Sequence, residues 1–296
     1  MASWRTTSSS ALTTDVDVRE ALAVCALDPI ASVLAAARLE AVLASGQRPA
    51  GRGYGGTALW GFRRDGRLVA ICWAGANLVP VCPDRGEDAV DAFAEEAKRR
   101  GRRCSSIVGD AAVVLRMWRA LEPSWGRPRE VRPVQQSMVA EALPKVPADP
   151  EVRLAQPADL PLLLPACVAM FEEEVGYSPL QGNPGAYESR VRALVDEGRS
   201  FVRIGPVDHA GRAGVLFKAE LGAVSSDVAQ VQGVWVPPSH RGRGLSVGGM
   251  ATVVARTLGQ VAPRVSLYVN DHNLRARAAY ARVGFREVGT YATVLF

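Results

Sequence analysis

The stretch from Val234 to Ser246 constrains the fold more than any other part of this 296-residue chain. It reads as an apolar strand ended by two prolines, then a turn that contains Gly242 and Gly244, then the start of a helix. Apolar residues recur every three or four positions from Val247 to Leu258, as in an amphipathic helix. The first amides of a helix have no intrahelical acceptor and lie at the positive end of its dipole. A strand, a glycine-rich turn and a helix N-terminus in this order therefore predict an anion site.

The composition of the turn indicates which kind of anion it binds. The turn has neither the Gly-Lys-Ser/Thr ending of a Walker loop nor the third glycine of a dinucleotide fingerprint. The spacing of Arg241, Gly244 and Ser246 resembles the pyrophosphate loop of the GCN5-related N-acetyltransferases, the GNAT superfamily. That family usually has Gly or Ala at the position of Ser246, and serine is small enough to keep the backbone accessible. An Arg-Gly surface turn is the alternative interpretation of this segment alone.

A second segment resembles the same family in order and spacing. Asn273 opens a short predicted helix, Ala276 follows three residues later, Tyr280 seven residues later, and Gly284 with Phe285 closes the helix. Asn is a favourable N-cap, and Gly is favourable directly after a helix. Taken alone, Tyr280 would be interpreted as a core aromatic residue. Two signatures in the family's order favour the resemblance.

The resemblance implies an acetyltransferase that moves an acetyl group from acetyl-CoA to a primary amine of a small molecule or peptide, in a ternary complex. Tyr280 would be the general acid, and Glu220 is the first candidate for the general base. Glu173 and Glu174 are the second candidates or could bind a cationic acceptor, with a solvated helix end as their alternative interpretation. The resemblance assigns acetyl-CoA binding to Val234, Trp235, Val236, Arg241, Gly242, Arg243, Gly244, Leu245, Ser246 and Asn273.

The chain is predicted to contain two domains. Three prolines in residues 143–150 predict a stiff linker, because each proline restricts the residue before it to extended conformations. Residues 1–14 are predicted to be a mobile tail, 15–142 a degenerate acetyltransferase-like domain, and 151–296 the catalytic domain. The predicted fold class is α/β with a mixed, α+β type of sheet, in two acetyltransferase-like domains in tandem.

The N-terminal half repeats the element order of the C-terminal half. Asp28-Pro29 predicts a helix start, residues 60–68 a hairpin with an Asp-Gly turn, and residues 69–79 a strand. The counterpart of the glycine-rich turn is residues 81–88, whose carboxylates would repel a pyrophosphate. This half is therefore predicted not to bind acetyl-CoA. The arrangement resembles actinobacterial GNAT proteins with an N-terminal domain of unknown function and, more distantly, the tandem acetyltransferases of the mycothiol synthase type.

Composition excludes some classes of partner. The net charge of the chain is +5, and its basic residues are concentrated in only one segment, residues 98–103. This segment follows Glu95 and Glu96 and is interpreted as the solvated end of a helix. We therefore expect no nucleic-acid partner. The apolar runs are too short to span a bilayer, so no membrane association is expected. The glycine-rich run 51–56 precedes a strand rather than a helix and is interpreted as a flexible loop.

Cysteine and histidine usage predicts a cytoplasmic protein without a metal. The five cysteines are an odd number without metal-like spacing, and the three histidines are scattered. A homodimer is compatible with the sequence. A sensor that binds an acyl-CoA without catalysis is the alternative function.

Overall fold

The computed structural model describes residues 9–46, 57–181 and 184–296. The first eight residues of the predicted tail and the predicted flexible loop 51–56 lie outside this part of the chain. The internal contacts divide the protein into two compact units. Unit 1 comprises Met1–Ser137 with Val288–Phe296, and unit 2 comprises Met138–Glu287. No helix within the described ranges combines the length and the apolar character that crossing a membrane requires.

Strands and helices alternate along both units. The first half of the chain forms β1 (Ser10–Thr13), α1 (Val18–Cys25), α2 (Pro29–Ser45), β2 (Ala58–Arg64), β3 (Arg67–Ala74), β4 (Asn77–Val81), α3 (Glu87–Arg100), β5 (Ser106–Asp110), α4 (Ala111–Trp125) and β6 (Glu130–Ala140). The second half forms β7 (Arg153–Leu154), α5 (Leu160–Val175), α6 (Pro184–Asp196), β8 (Ser200–Pro206), β9 (Ala213–Val224), β10 (Ala229–Trp235), α7 (Leu245–Gln260), β11 (Val265–Asn270), α8 (Leu274–Val283) and β12 (Arg286–Leu295). The mixed α/β class is confirmed.

In unit 1 the strands run in the order β1-β2-β3-β4-β5-β12, and β4 with β5 is a parallel pair among antiparallel neighbours. Apolar side chains of α3 and α4 cover the sheet, with Phe93, Ile107 and Met117 fully buried. The predicted Asp-Gly turn is confirmed, because Asp65 and Gly66 both have positive φ between β2 and β3.

Three segments of unit 1 differ from the sequence-based expectation. The predicted strand 69–79 is wrong as a single strand, because the chain turns after Ala74 and continues antiparallel as β4. Residues 10–13, within the predicted tail, form β1 and pair with β2. Residues 288–296, expected in the catalytic domain, belong to unit 1, where β12 pairs with β5.

In unit 2 the strands run in the order β7-β8-β9-β10-β11, with β10 and β11 parallel. Phe217, Met250 and Val265 lie in the core. Helix α7 packs closely on β9, since a Cβ on Gly249 would lie 2.7 Å from the Phe217 ring. The end of the predicted linker is held within this unit, because the Asp149 amide donates to Gly248 O at 3.1 Å.

Candidate active site

The parallel strands β10 and β11 pair only at their first residues. Ala229 lies opposite Val265 and Gln230 opposite Ser266, whereas β10 continues to Trp235 and β11 to Asn270. The two strands therefore diverge toward their carboxyl ends. A divergence between parallel strands leaves backbone groups of one strand edge available to an extended ligand.

A β-bulge at Gly233 accompanies this divergence. The register between β9 and β10 shifts after Gln232, and Gly233 has φ +60°. A Cβ on Gly233 would lie 3.1 Å from Lys218 Nζ and 3.3 Å from the Glu220 carboxyl carbon. Both the backbone conformation and the available space therefore favour glycine at this bulge.

A fully buried ion pair lies directly beneath the bulge. Lys218 Nζ donates to Glu220 Oε1 at 2.7 Å and to the Gly233 carbonyl at 3.1 Å, and both ionic side chains are almost completely inaccessible. Gln232 Nε2 donates to the other Glu220 oxygen at 3.3 Å, and the Cys167 thiol donates to Oε1 at 3.7 Å. From the sequence alone, Lys218 and Gln232 could face the acceptor pocket, but no motif indicates that Lys218 pairs with Glu220, although their spacing puts both side chains on one face of β9.

This environment makes Glu220 a poor general base. Burial disfavours the charged carboxylate, but the Lys218 ammonium outweighs this effect and lowers the pKa of Glu220 below its ordinary value. A carboxylate with a lowered pKa and three hydrogen-bond donors accepts a further proton weakly. The arrangement favours a positioning role for Glu220 at the bulge over the predicted role as base.

The glycine-rich turn and the first residues of α7 contain backbone amides that have no hydrogen-bond acceptor. Gly242 and Gly244 both have φ +79°, and no atom lies within 4 Å of a Cβ built on either residue. The hydrogen bonds of the helix begin with the amides of Val247 and Gly248, which both donate to Gly244 O. The amides of residues 242–246 have no acceptor among the described residues. These five N–H groups form an open anion cradle at the N-terminus of α7.

The two arginines of the turn have different environments. Arg241 Nε donates to Val236 O at 3.0 Å, and its guanidinium pairs with Glu173 at 2.5 Å. Glu173 also accepts from Trp235 Nε1 at 3.4 Å. Arg241 and Glu173 therefore join the end of α5 to the turn, and the predicted acceptor-binding role of Glu173 competes with this pairing. Arg243 makes no ion pair or hydrogen bond within the described ranges and is the cation available to a ligand.

Tyr280, on α8, has a buried ring and an unbonded hydroxyl. The residue is 8% exposed, and its ring contacts the Phe285 ring with a centroid distance of 5.9 Å. The hydroxyl makes no hydrogen bond to the described residues and is absent from the fully inaccessible unpartnered atoms, so it retains access to a ligand. Burial raises the pKa of Tyr280, and the negative charge of Glu174 raises it further. The hydroxyl is therefore protonated at neutral pH and can donate a proton.

Asn273 caps α8 as the sequence predicts. Its side-chain oxygen accepts from the Ala276 amide at 3.2 Å, and Gly284 ends the helix with φ +116°. The predicted N-cap and the predicted terminating glycine are both confirmed. The cap places the start of α8 directly after β11, the strand that diverges from β10.

Comparison with known families agrees with this geometry. The profile of the acetyltransferase (GNAT) family matches residues 169–285, which contain the divergent strands, the cradle and Tyr280. The chain carries a GNAT acetyltransferase domain. A GNAT acetyltransferase domain supports acyl transfer in general, and it does not favour the alternative of a sensor without catalysis. A profile described as a domain of unknown function, DUF4081, matches residues 57–163.

Solved structures share the fold of this chain over nearly its whole length. A GCN5-related N-acetyltransferase from Sphaerobacter thermophilus is 17% identical, with a TM-score of 0.56 and coverage of 96% of this chain and 94% of that chain. A GNAT acetyltransferase from Colwellia psychrerythraea is 16% identical, with a TM-score of 0.51 and coverage of 97% and 99%. At these identities the similarity shows the fold alone.

A tandem protein is also similar to this chain. A tandem GNAT protein from the clavulanic acid biosynthesis pathway is 13% identical, with a TM-score of 0.51 and coverage of 96% of this chain and 98% of that chain. Together with the two matched profiles, this similarity agrees with two acetyltransferase-like domains in tandem. No curated protein is significantly similar in sequence. The described residues contain no group of three side chains suited to holding a metal ion.

Proposed function

We propose that the GNAT domain transfers the acetyl group of acetyl-CoA to a primary amine in a ternary complex. The observation that carries the proposal is the row of unpartnered amides at residues 242–246, directly beyond a strand that diverges from its parallel neighbour. A diphosphate needs several convergent donors, and a helix N-terminus with open glycines supplies them without a metal. Arg243 adds the positive charge, while Arg241 holds the turn to α5.

The thioester end of the donor lies along the diverging edge of β10 in this proposal. Backbone groups of Val234, Trp235 and Val236 bind the pantetheine arm as an added strand would. A backbone N–H at this edge polarises the thioester carbonyl and stabilises the negative charge that develops on its oxygen. The bulge at Gly233, whose carbonyl accepts from Lys218 Nζ, shifts the register of β10 on β9 between Gln232 and Trp235, where these groups begin. Asn273, which caps α8 after the diverging strand, contributes near the thiol end of the arm.

Tyr280 acts as the general acid. The amine nitrogen attacks the thioester carbonyl carbon, the carbon–sulfur bond breaks, and the departing thiolate takes the phenolic proton. The nitrogen of the new amide then gives up its surplus proton to solvent water, and the Tyr280 phenolate takes a proton back from solvent. The raised pKa keeps this proton on the phenol at neutral pH, so that it is available when negative charge develops on the leaving sulfur.

The acceptor amine arrives as a cation and must lose a proton before it attacks. We assign this step to Glu174, the carboxylate whose charge acts on Tyr280. Glu174 attracts the ammonium group and accepts its proton directly or through water. Glu220 already pairs with the Lys218 ammonium, so we assign it a positioning role at the Gly233 bulge rather than the role of general base.

The cysteines support a reducing compartment for this reaction. All five are free and buried, and burial raises the pKa of Cys25 and of Cys167, to about 12 and about 11 respectively. Buried neutral thiols react slowly with oxidants and need no oxidising environment. We therefore propose a cytoplasmic location.

Calorimetric titration with acetyl-CoA tests the proposal. We expect one binding site per chain, and we expect Gly244→Val to weaken binding at least about tenfold, because valine is strained at φ +79° and distorts the cradle. Gly211→Val is the matched control, since Gly211 has φ +76° and open space in the β8–β9 hairpin. Unchanged affinity in Gly244→Val, or no binding by the wild type, would contradict the proposal.

A further inference from the structure

The start of α7 contains two consecutive glycines, Gly248 and Gly249, inside a helix. Glycine disfavours the helical conformation, because it has the most backbone freedom to lose. Close packing explains both positions. A Cβ on Gly249 would lie 2.7 Å from the Phe217 ring, and a Cβ on Gly248 would lie 3.3 Å from Asp149 Cβ. Neighbours on two sides therefore fix the first turns of this helix.

Asp149 approaches the helix through a turn that the local sequence encodes. The Val152 amide donates to the Asp149 carbonyl at 3.2 Å, and the Glu151 amide donates to Asp149 Oδ1 at 3.0 Å. Aspartate at the first position and proline at the second, here Pro150, are typical of a β-turn. The proline-rich segment therefore ends in a fixed conformation beside α7.

The backbone of Asp149 forms two hydrogen bonds to α7. Its amide donates to the Gly248 carbonyl at 3.1 Å, and its carbonyl accepts from Thr252 Oγ1 at 2.8 Å. The carboxylate is held in turn by Arg203 of β8, whose Nη1 donates to Asp149 Oδ2. The Asp149 side chain is only 9% exposed. One residue thus joins the first turns of α7 to β8.

The hydrogen bond to Gly248 continues into the cradle. The Gly248 amide donates to the Gly244 carbonyl at 3.2 Å, so that Asp149, Gly248 and Gly244 form one chain of hydrogen bonds. Gly244 also carries one of the unpartnered amides of residues 242–246. A binding site needs its groups held to within about 0.5 Å of the productive geometry. The position of Asp149 therefore affects how well these amides converge on a ligand.

We propose that Asp149 is a positioning residue for acetyl-CoA, which fixes the first turns of α7 so that the cradle amides converge on the diphosphate. This inference rests on the proposed binding of acetyl-CoA. Asp149 acts through α7 and needs no contact with the ligand. Its negative charge would disfavour a nearby diphosphate, and the Arg203 guanidinium offsets that charge. The segment before β7 thus contributes to donor affinity.

Calorimetry with acetyl-CoA on full-length Gly248→Val and Thr252→Val tests this inference. Valine at position 248 displaces Asp149 from the helix, and valine at position 252 removes the hydroxyl that donates to it. We expect affinity to fall at least about tenfold and about threefold, respectively. Gly259→Val and Thr257→Val are matched controls on α7 that should keep the wild-type affinity. No atom lies within 4 Å of a Cβ built on Gly259, and the Thr257 hydroxyl has no partner among the described residues.

Thiol-release kinetics separate positioning from a loss of folded protein. A displaced cradle weakens binding of the ground state and the transition state alike, so the KM for acetyl-CoA rises while kcat is kept. A smaller folded fraction lowers kcat and leaves KM unchanged. Wild-type affinity in both Gly248→Val and Thr252→Val, equal losses in the two controls, or a fall in kcat without a change in KM would overturn this inference alone. A wild-type protein that does not bind acetyl-CoA would overturn the proposed function as well.

Discussion

In each unit a strand leads through a short loop into a helix, β4 into α3 in unit 1 and β10 into α7 in unit 2. In unit 2 the amides of residues 242–246 have no acceptor. In unit 1 the loop supplies its own anions, since Asp84 accepts from the Gly86 amide and Asp88 from the Ala89 amide, and both carboxylates pair with Arg64. Carboxylates of the unit 1 loop thus accept from amides at the start of α3, whereas the amides at the start of α7 are open to a ligand or to water.

The strands before the two loops differ as well. β3 and β4 keep a continuous register from Ile71–Val81 to Ala74–Leu78, whereas β9 and β10 are interrupted by the bulge at Gly233. Both units end their parallel strand pair after two residue pairs. The divergence of strands thus belongs to the common fold. The bulge and the open glycines belong to the unit that we propose to be catalytic, in agreement with function residing in sites rather than folds.

Removing the cation beneath the bulge should produce the largest effect. Lys218→Met leaves Glu220 buried without its ion-pair partner, and we expect the free energy of unfolding of unit 2 to fall by about 3–5 kcal/mol. Because the pKa of Glu220 lies below 4.5, the pair stabilises the fold above that pH, and this contribution is lost as the pH falls through the folded pKa. Urea denaturation at several pH values measures both effects.

The double variant Lys218→Met/Glu220→Met is the control for the bulge. Replacing both charges with apolar groups should recover most of the lost stability. We expect acetyl-CoA affinity to stay reduced in the double variant, because the Gly233 carbonyl then lacks its donor. Full affinity in a stable double variant would show that the ion pair does not position the bulge.

Removing the Tyr280 hydroxyl should affect turnover and spare binding. We expect Tyr280→Phe to lower kcat by roughly 100-fold or more, with the Kd for acetyl-CoA unchanged, since the hydroxyl serves only the departing thiolate. In the wild type, an alkaline fall in kcat caused by Tyr280 should begin only above pH 10, because burial raises its pKa. Thiol release with an accepted amine, identified from a panel, measures these rates.

Tyr291→Phe is the matched control for this variant. The Tyr291 hydroxyl donates to Ile30 O and Ala31 O in unit 1 and does not belong to the proposed site. This variant should keep the wild-type kcat. Equal kcat values for Tyr280→Phe and the wild type would refute the assignment of the general acid.

Neutralising the carboxylates of the loop before α3 should have the smallest effect on stability and on acetyl-CoA binding. The double variant Asp84→Asn/Asp88→Asn removes the carboxylates that occupy the start of α3, and we expect unit 1 to lose less than about 1 kcal/mol of stability, because both groups are substantially exposed. The calorimetric stoichiometry for acetyl-CoA should stay at one per chain, since β4 has no bulge. Binding of a second acetyl-CoA molecule would show that the carboxylates alone prevent the unit 1 loop from binding acetyl-CoA.

Features that depend on neighbouring residues were predictable from the sequence. The N-caps at Asp28 and Asn273, the Asp65-Gly66 turn and the terminating Gly284 each require only a few adjacent residues, and all four are present. The exception is the predicted strand 69–79, which turns after Ala74 without a strong Asn-Gly or Asp-Gly signal. Gly75 and Asn77 interrupt the strand-forming residues where the chain reverses, but they do not form one of the two-residue sequences that mark a hairpin turn.

The sequence by itself determined the GNAT signatures, the glycine-rich turn before α7 and the helix that presents Tyr280, because each is encoded within one short segment. Only the tertiary structure decided that Glu220 is neutralised by Lys218, that Glu173 is joined to Arg241, and that β12 pairs with β5. Desolvation and strand pairing depend on partners that folding brings together, and Glu173 and Arg241 are 68 residues apart. A residue's chemical role follows from these partners, which no local pattern specifies.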